Sequence, residues 1–98
     1  MPNFILICRD KPNSLELRME TRPAHLDYFN AYGPGGLVAG PMLDDNGKPK
    51  GSVLIIEAED QAAAEAFAQN DPYAKAGLFE SVEIQPMALA AGAFVSKT

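Results

Sequence analysis

An α+β fold in the order strand, helix, strand, strand, helix, strand is predicted for this 98-residue chain, and three observations predict it. Short apolar runs rich in β-formers alternate with helical stretches bounded by capping or breaking residues. The second and third runs are joined by Asp44-Asp45-Asn46-Gly47, a tight-turn signal that makes them a hairpin. Two of the strands, the first and the third, are apolar on both faces, as central strands are.

Phe4-Ile5-Leu6-Ile7-Cys8 reads as the first strand, closed by the polar turn Arg9-Asp10-Lys11-Pro12-Asn13. Ser14 is placed to cap the helix that follows. From Leu15 to Tyr32 the large apolar residues Leu15, Met19, Leu26 and Phe29 fall on one helical face. Pro23 removes one helical hydrogen bond, which predicts a kink or restart near Thr21-Arg22, and Gly33-Pro34-Gly35-Gly36 ends the helix.

The run from Leu37 to Met42 is a short second strand, and Pro41 assigns it to a sheet edge, where a missing N–H does no harm. Gly51 to Glu57 is the return strand. Asp60 caps a second helix, Gln61 to Gln69, with Ala63, Ala66 and Phe67 as its buried stripe. Asn70-Asp71-Pro72 stops it, and a brief turn through Tyr73 to Gly77 follows. Ser81 to Pro86 alternates polar and apolar residues, as a strand with one wet face does. The tail from Met87 to Val95, apolar and rich in small residues, is a candidate for one further strand.

This order is the ferredoxin-like βαββαβ unit, an antiparallel sheet with two helices on one face and the first and third strands at its centre. Helices cover only one face of those two strands. A second copy of the same sheet, packed face to face, is the expected cover, which predicts a homodimer.

Length bounds the chain to a single domain over residues 1–98. Composition is that of a folded globular protein throughout, with 47% hydrophobic and 21% charged residues. A net charge of −5 repels phosphate backbones, so nucleic acid is not an expected partner. No apolar run is long enough to span a bilayer, and Met1-Pro2-Asn3 lacks a basic leader, so neither a membrane partner nor export is expected and the predicted location is cytoplasmic. Cys8 is the one cysteine, which excludes a disulfide framework or cysteine metal site within a chain and leaves a small buried thiol as the plain reading.

The chain has one histidine, His25, on the border of the first helix's apolar stripe, with Arg22 and Arg18 behind it on the same edge. Two roles are open to it. It is a general acid or base in an anion-attracting pocket, or a border histidine bonded to a neighbour while the arginines pair with Glu20 and Asp27. In a βαββαβ unit the early part of the first helix faces the turn after the second, so His25 and Asp71 are expected to meet. A carboxylate that accepts the imidazole N–H fixes its tautomer and makes an acid/base dyad. Asp71 also reads simply as a turn residue before proline. Gly40-Pro41 and Gly51-Ser52 either let a ligand approach one end of the sheet or mark bends. Tyr28, Tyr32 and Tyr73 either line a pocket or border the core. No phosphate-binding glycine loop, His-x-x-x-His, Cys-x-x-Cys or Gly-x-Ser-x-Gly pattern is present in the sequence, so no metal site and no cofactor is expected.

Taken in order, Arg22-Pro23-Ala24-His25-Leu26, Gly40-Pro41, Asp44-Asp45-Asn46-Gly47, Gly51-Ser52 and Asp71-Pro72-Tyr73 resemble the YciI-like (YCII-related) family from about Phe4 to Met87. The resemblance implies a dimeric α+β barrel and a pocket with a catalytic His–Asp pair at His25 and Asp71. Arg18, Arg22, Tyr28, Gly40, Pro41, Ser52 and Tyr73 are the candidates for binding a small anionic substrate. The family is similar in fold to muconolactone isomerases and a chloromuconolactone dehalogenase, which act on small acidic ring compounds, and this analogy suits the arginines as carboxylate binders. The function so implied is a cofactor-independent lyase, isomerase or dehalogenase. Its competitors are a non-catalytic metabolite-binding dimer and an oxygen-using monooxygenase on the same barrel.

Overall fold

The computed structural model describes residues 1–93. Its elements run β1 (Asn3–Asp10), α1 (Leu15–Ala31), β2 (Gly36–Leu43), β3 (Pro49–Glu57), α2 (Gln61–Asn70), α3 (Pro72–Lys75) and β4 (Phe79–Met87), with a 3-10 turn at Gly33–Gly35 between α1 and β2. The sheet is antiparallel with strand order β2-β3-β1-β4, so the two strands that are apolar on both faces are the central pair and the Pro41 strand is an edge. This is the ferredoxin-like α+β arrangement expected from the sequence.

Strand alternation decides which residues meet the helices. Phe4, Leu6 and Cys8 of β1 pair with Ile56, Leu54 and Ser52 of β3, and this row is buried. Phe67, Ala64 and Ala68 of α2 pack onto it. Each fully buried Leu or Ile there stabilises the fold by roughly 1.5–3 kcal/mol. The opposite row carries Ile5, Ile7, Val53 and Ile55, half-buried in the single chain, while Val38 beside them on β2 is 44% exposed.

Several local expectations are corrected. Ser14 stands at the N-cap of α1, but its hydroxyl donates to the Pro12 carbonyl, because φ −113° and ψ 13° are not the extended cap geometry that aims Oγ at the helix N–H groups. α1 runs unbroken through Pro23, which lies on the solvent side, where the Met19 carbonyl that loses its donor can turn to water. Met19 itself is 51% exposed, and the buried positions of α1 are Arg18 and His25. In α2 the inward stripe is Ala64, Phe67 and Ala68, rotated by one residue from the Ala63, Ala66, Phe67 expectation. With alanine at five of its ten positions, the helix has too flat an apolar pattern to fix its own face. The segment after Asp71 forms the short helix α3 instead of a plain turn. Residues 88–93 form no strand; Leu89 and Ala91 border, with Leu37, Val38, Ile55 and Met87, a cavity of about 420 Å³. The remainder of the tail proposed as a strand, residues 94–95, lies outside the described residues. No helix among the described residues is long and apolar enough to cross a membrane.

Candidate active site

One helix, two strands and a helix–helix corner converge at the end of the sheet where β1 finishes and β3 begins. α1 presents Arg18, Arg22 and His25 along one edge, at spacings of four and three that stack successive turns. β1 and β3 contribute Asp10 and Ser52, both on the inward-facing row. The corner between α2 and α3 contributes Asp71 and Tyr73.

Asp71 sits at that corner in extended conformation, φ −62° and ψ 133°, as the C-cap of one helix and the N-cap of the next. Its Oδ1 accepts the Tyr73 backbone N–H at 2.9 Å, and its two oxygens lie 3.0 and 2.9 Å from His25 Nδ1. One side chain thus caps the turn and contacts the histidine. His25 and Asp71 are 5% and 2% exposed, so the contact is sheltered from water. A carboxylate only accepts, so Nδ1 carries a proton, and in the neutral imidazole the lone pair belongs to Nε2. Nε2 bonds to no group among the described residues, yet no unpartnered side-chain nitrogen or oxygen there is sealed from solvent. The lone pair of Nε2 is thus open to a ligand.

Arg18 is also buried, and it is bound within the protein. Its Nε and Nη2 donate to Asp10 at 2.6 and 2.9 Å, and Nη2 donates to Ser52 Oγ at 2.9 Å. Burial alone pulls the Arg18 pKa down, but the hydrogen bond and charge of Asp10 more than reverse this, so the guanidinium stays charged. Nη1 is left without a partner among the described residues. Arg22, one turn on, is exposed and makes no ion pair there.

The Tyr73 ring ties these groups together. It stacks on His25 with centroids 4.2 Å apart and planes 20° from parallel, and Arg18 Cζ lies 4.5 Å from its centroid. Burial raises the Tyr73 pKa despite the opposing charges of Arg18 and Arg22, so its phenol remains protonated. Arg18, Arg22, His25, Ser52, Tyr73, Gly40 and Pro41 line one recess of about 90 Å³, together with Leu26, Ala39 and Pro49. Asp71 stands behind His25 instead of on the wall.

Tyr28 is the candidate that the structure does not bring to the recess. Its hydroxyl donates to the Phe67 carbonyl at 2.8 Å and its ring packs on Phe67, which makes it a link between the two main helices. Asp10, the ion-pair partner of Arg18, is the residue of this site that the sequence did not single out. Strand alternation was the available signal, because Asp10 continues the inward row of Phe4, Leu6 and Cys8 and a buried carboxylate there needs a cation. Gly51 answers the question about its pair: a Cβ at that position would stand 2.5 Å from the Cys8 carbonyl oxygen, so the residue permits close approach of β3 to β1, not of a ligand. Cys8 is buried, and burial, reinforced by Asp71, pushes its thiol up to about 12. Among the described residues no group of three His, Cys, Asp or Glu side chains is placed to hold a metal ion.

Comparison with known proteins places this geometry in context. Residues 3–88 match the YCII-related domain family. Protein YciI of Escherichia coli is 40% identical over 91 residues, covering 85% of this chain and 93% of the relative. An uncharacterized protein of Haemophilus influenzae is 32% identical over the same coverage. Among solved structures, 5-chloro-2-hydroxyhydroquinone dehydrochlorinase of Burkholderia phenoliruptrix, in complex with 2,5-dihydroxybenzoquinone, is similar with a TM-score of 0.82 and 33% identity, covering 90% of this chain and 95% of that one. An antibiotic biosynthesis monooxygenase, at 16% identity and a TM-score of 0.55 over 93% of this chain and 100% of its own, shares the fold alone. The chain belongs to the YCII-related domain family.

Proposed function

We propose that the chain is a cofactor-independent acid/base enzyme of the lyase, isomerase or dehalogenase kind that acts on a small anionic metabolite. The observation that carries this reading is the buried His25–Asp71 contact, which leaves Nε2 as an open base on a recess with cationic walls. His25 Nε2 takes a proton from the ligand, the bond pair stays on the ligand, and Asp71 balances the imidazolium so formed. The proton then returns at another ligand atom in an isomerisation, or is lost with the departing group in an elimination. Arg22 attracts the anion and Arg18 offers Nη1.

The dehydrochlorinase supports the ligand class, since its complex holds 2,5-dihydroxybenzoquinone, a small acidic ring. A recess of about 90 Å³ is smaller than the ~150 Å³ cavity that encloses a benzene. The reacting edge of such a ligand therefore enters and the rest projects past the exposed Arg22 and Pro41. The second part of the proposal is a homodimer that covers the Ile5, Ile7, Val53 and Ile55 face of the sheet.

The test couples structure to turnover. With one histidine in the sequence, the ¹⁵N pattern of the untagged protein should show a protonated Nδ1 and a bare Nε2 in the wild type, and Asp71→Asn should move the proton toward Nε2. Chloride release from 5-chloro-2-hydroxyhydroquinone and isomerisation of small lactones should be lost in His25→Gln, with the fold intact. Turnover that survives His25→Gln refutes the mechanism. Saturable binding without any product reassigns the chain to metabolite binding.

A further inference from the structure

We infer that the Tyr73 hydroxyl is a ligand-binding donor of this site, holding the ligand oxygen that becomes negative as His25 Nε2 removes a proton. The inference rests on the acid/base reading above and deepens it.

The chain has three tyrosines, and their hydroxyls are not used alike. Tyr28 donates to the Phe67 carbonyl and Tyr32 donates to the Glu57 carbonyl. Tyr73 is the most enclosed of the three, at 1% exposed, yet its hydroxyl has no partner among the described residues. A phenol O–H sealed away without a partner costs about 1–3 kcal/mol, and this one avoids that cost only by keeping its oxygen at the surface of the protein. Because no unpartnered side-chain oxygen among the described residues is sealed from solvent, the little surface that Tyr73 retains includes that oxygen, and the cavity it lines is the recess.

Everything else about Tyr73 is held in place. Its backbone N–H is taken by Asp71, its ring is stacked on His25 and edged by Phe79 at 5.8 Å, and the immobilised Arg18 lies against it. Such a group is preorganised, and donors fixed before charge develops stabilise that charge without reorganising. The neighbouring Arg18 cation makes the phenol a better donor, while burial keeps it protonated.

A bare imidazole nitrogen and a phenol donor on stacked rings select a particular ligand. It must present an acidic proton beside an oxygen that can keep the released electron pair, which describes an enol or a hydroxyquinone. The proton passes to Nε2, the pair comes to rest on the ligand oxygen, and Tyr73 hydrogen-bonds that oxygen without giving up its own proton. A carboxylate far from any acidic proton satisfies Arg22 but leaves this pair idle.

The experiment uses 2,5-dihydroxybenzoquinone as the probe, because its colour reports its own ionisation. Wild type, Tyr73→Phe, Tyr28→Phe and Asp71→Asn are titrated with it across pH, and their His25 nitrogens are read by NMR in the same samples. The phenyl ring keeps the stack, so Tyr73→Phe should melt as the wild type does and keep the proton on Nδ1. It should bind the probe about tenfold more weakly, the loss expected for one hydrogen bond to a charged group. The bound probe should also ionise about one pH unit higher, a change that a merely structural role of Tyr73 would not produce. Tyr28→Phe, whose hydroxyl is committed to Phe67, should alter neither value. Equal binding and unshifted ionisation in Tyr73→Phe overturn the inference while the nitrogen pattern separately upholds or sinks the His–Asp pair. A wild type that leaves the probe unbound overturns the ligand class.

Discussion

Arg18 and Asp10 offer a sharp test of how this site is held together. Their side chains are 3% and 6% exposed, and two nitrogens of the guanidinium meet both carboxylate oxygens at 2.6 and 2.9 Å. Asp10→Asn keeps the shape but removes the charge, so a cation remains buried against an amide. Breaking one side of a buried pair costs about 3–5 kcal/mol, a large part of the ~5–15 kcal/mol that holds a domain of this size. With a urea slope of ~1–1.5 kcal/mol per molar, the unfolding midpoint should fall by about 2 M or more. Arg18→Met alone should be similarly costly, since it strands the carboxylate and frees Ser52 and the Tyr73 ring. The double variant Arg18→Met/Asp10→Leu should recover much of the loss, because an apolar pair incurs no desolvation of charge. Equilibrium urea unfolding followed by circular dichroism measures all four proteins. A cost below about 1 kcal/mol for Asp10→Asn, at unchanged slope, refutes the claim that Arg18 is a buried internal cation and returns it to the role of a free anion binder.

Three further outcomes follow from particular residues. Light scattering at micromolar concentration should give twice the chain mass, and Ile5→Lys, on the apolar outer row, should shift it toward the monomer; a monomeric wild type removes the dimer. Gly51→Ala should destabilise by about 1–3 kcal/mol, since its new methyl meets the Cys8 carbonyl oxygen and Met42 Cε, and a wild-type melting temperature would show that β1 and β3 part more easily than their spacing implies. Burial pushes the Cys8 thiol up to about 12 in the folded state, above its value in the unfolded chain. Between about pH 9 and 12 the folded state then binds more protons, so stability is intact below pH 9 and falls as pH rises, by on the order of 1 kcal/mol per unit. Cys8→Ala should flatten that decline, and parallel unfolding curves for the two proteins at pH 8 and 10.5 would argue against burial as the cause.

Much of the architecture was legible because it rests on signals that act locally. The Asn46-Gly47 turn, the apolar runs of β1 and β3, Pro41 at an edge and Asp60 at a cap each state their role within a few residues, and Asp60 Oδ1 does accept the Ala63 N–H at 2.8 Å. The error that bears on the site lies in α1. In α1 the rule that apolar residues point inward placed Met19 in the core, where the helix instead buries Arg18 and His25. Those two positions violate the pattern because each has a buried carboxylate waiting on another element, Asp10 at the end of β1 and Asp71 at the α2–α3 corner. Such partners lie eight and forty-six residues away on other elements, so the periodicity of α1 by itself does not register them.

The misplacement of Met19 is therefore informative about the site. A helix that served only to cover the sheet would bury its apolar stripe, and replacing a buried ion pair by apolar residues is often neutral or stabilising. α1 gives up that simpler solution at two positions two turns apart, and both lie against the one tyrosine whose hydroxyl is without a partner among the described residues. Ser52 extends the same polar seam into the sheet, at a point where Leu54 and Ile56 on the same row are fully buried and apolar. Stability alone does not require this arrangement. The seam places His25 and Tyr73 on the wall of the recess, and the departure of α1 from its own hydrophobic pattern is what makes that placement possible.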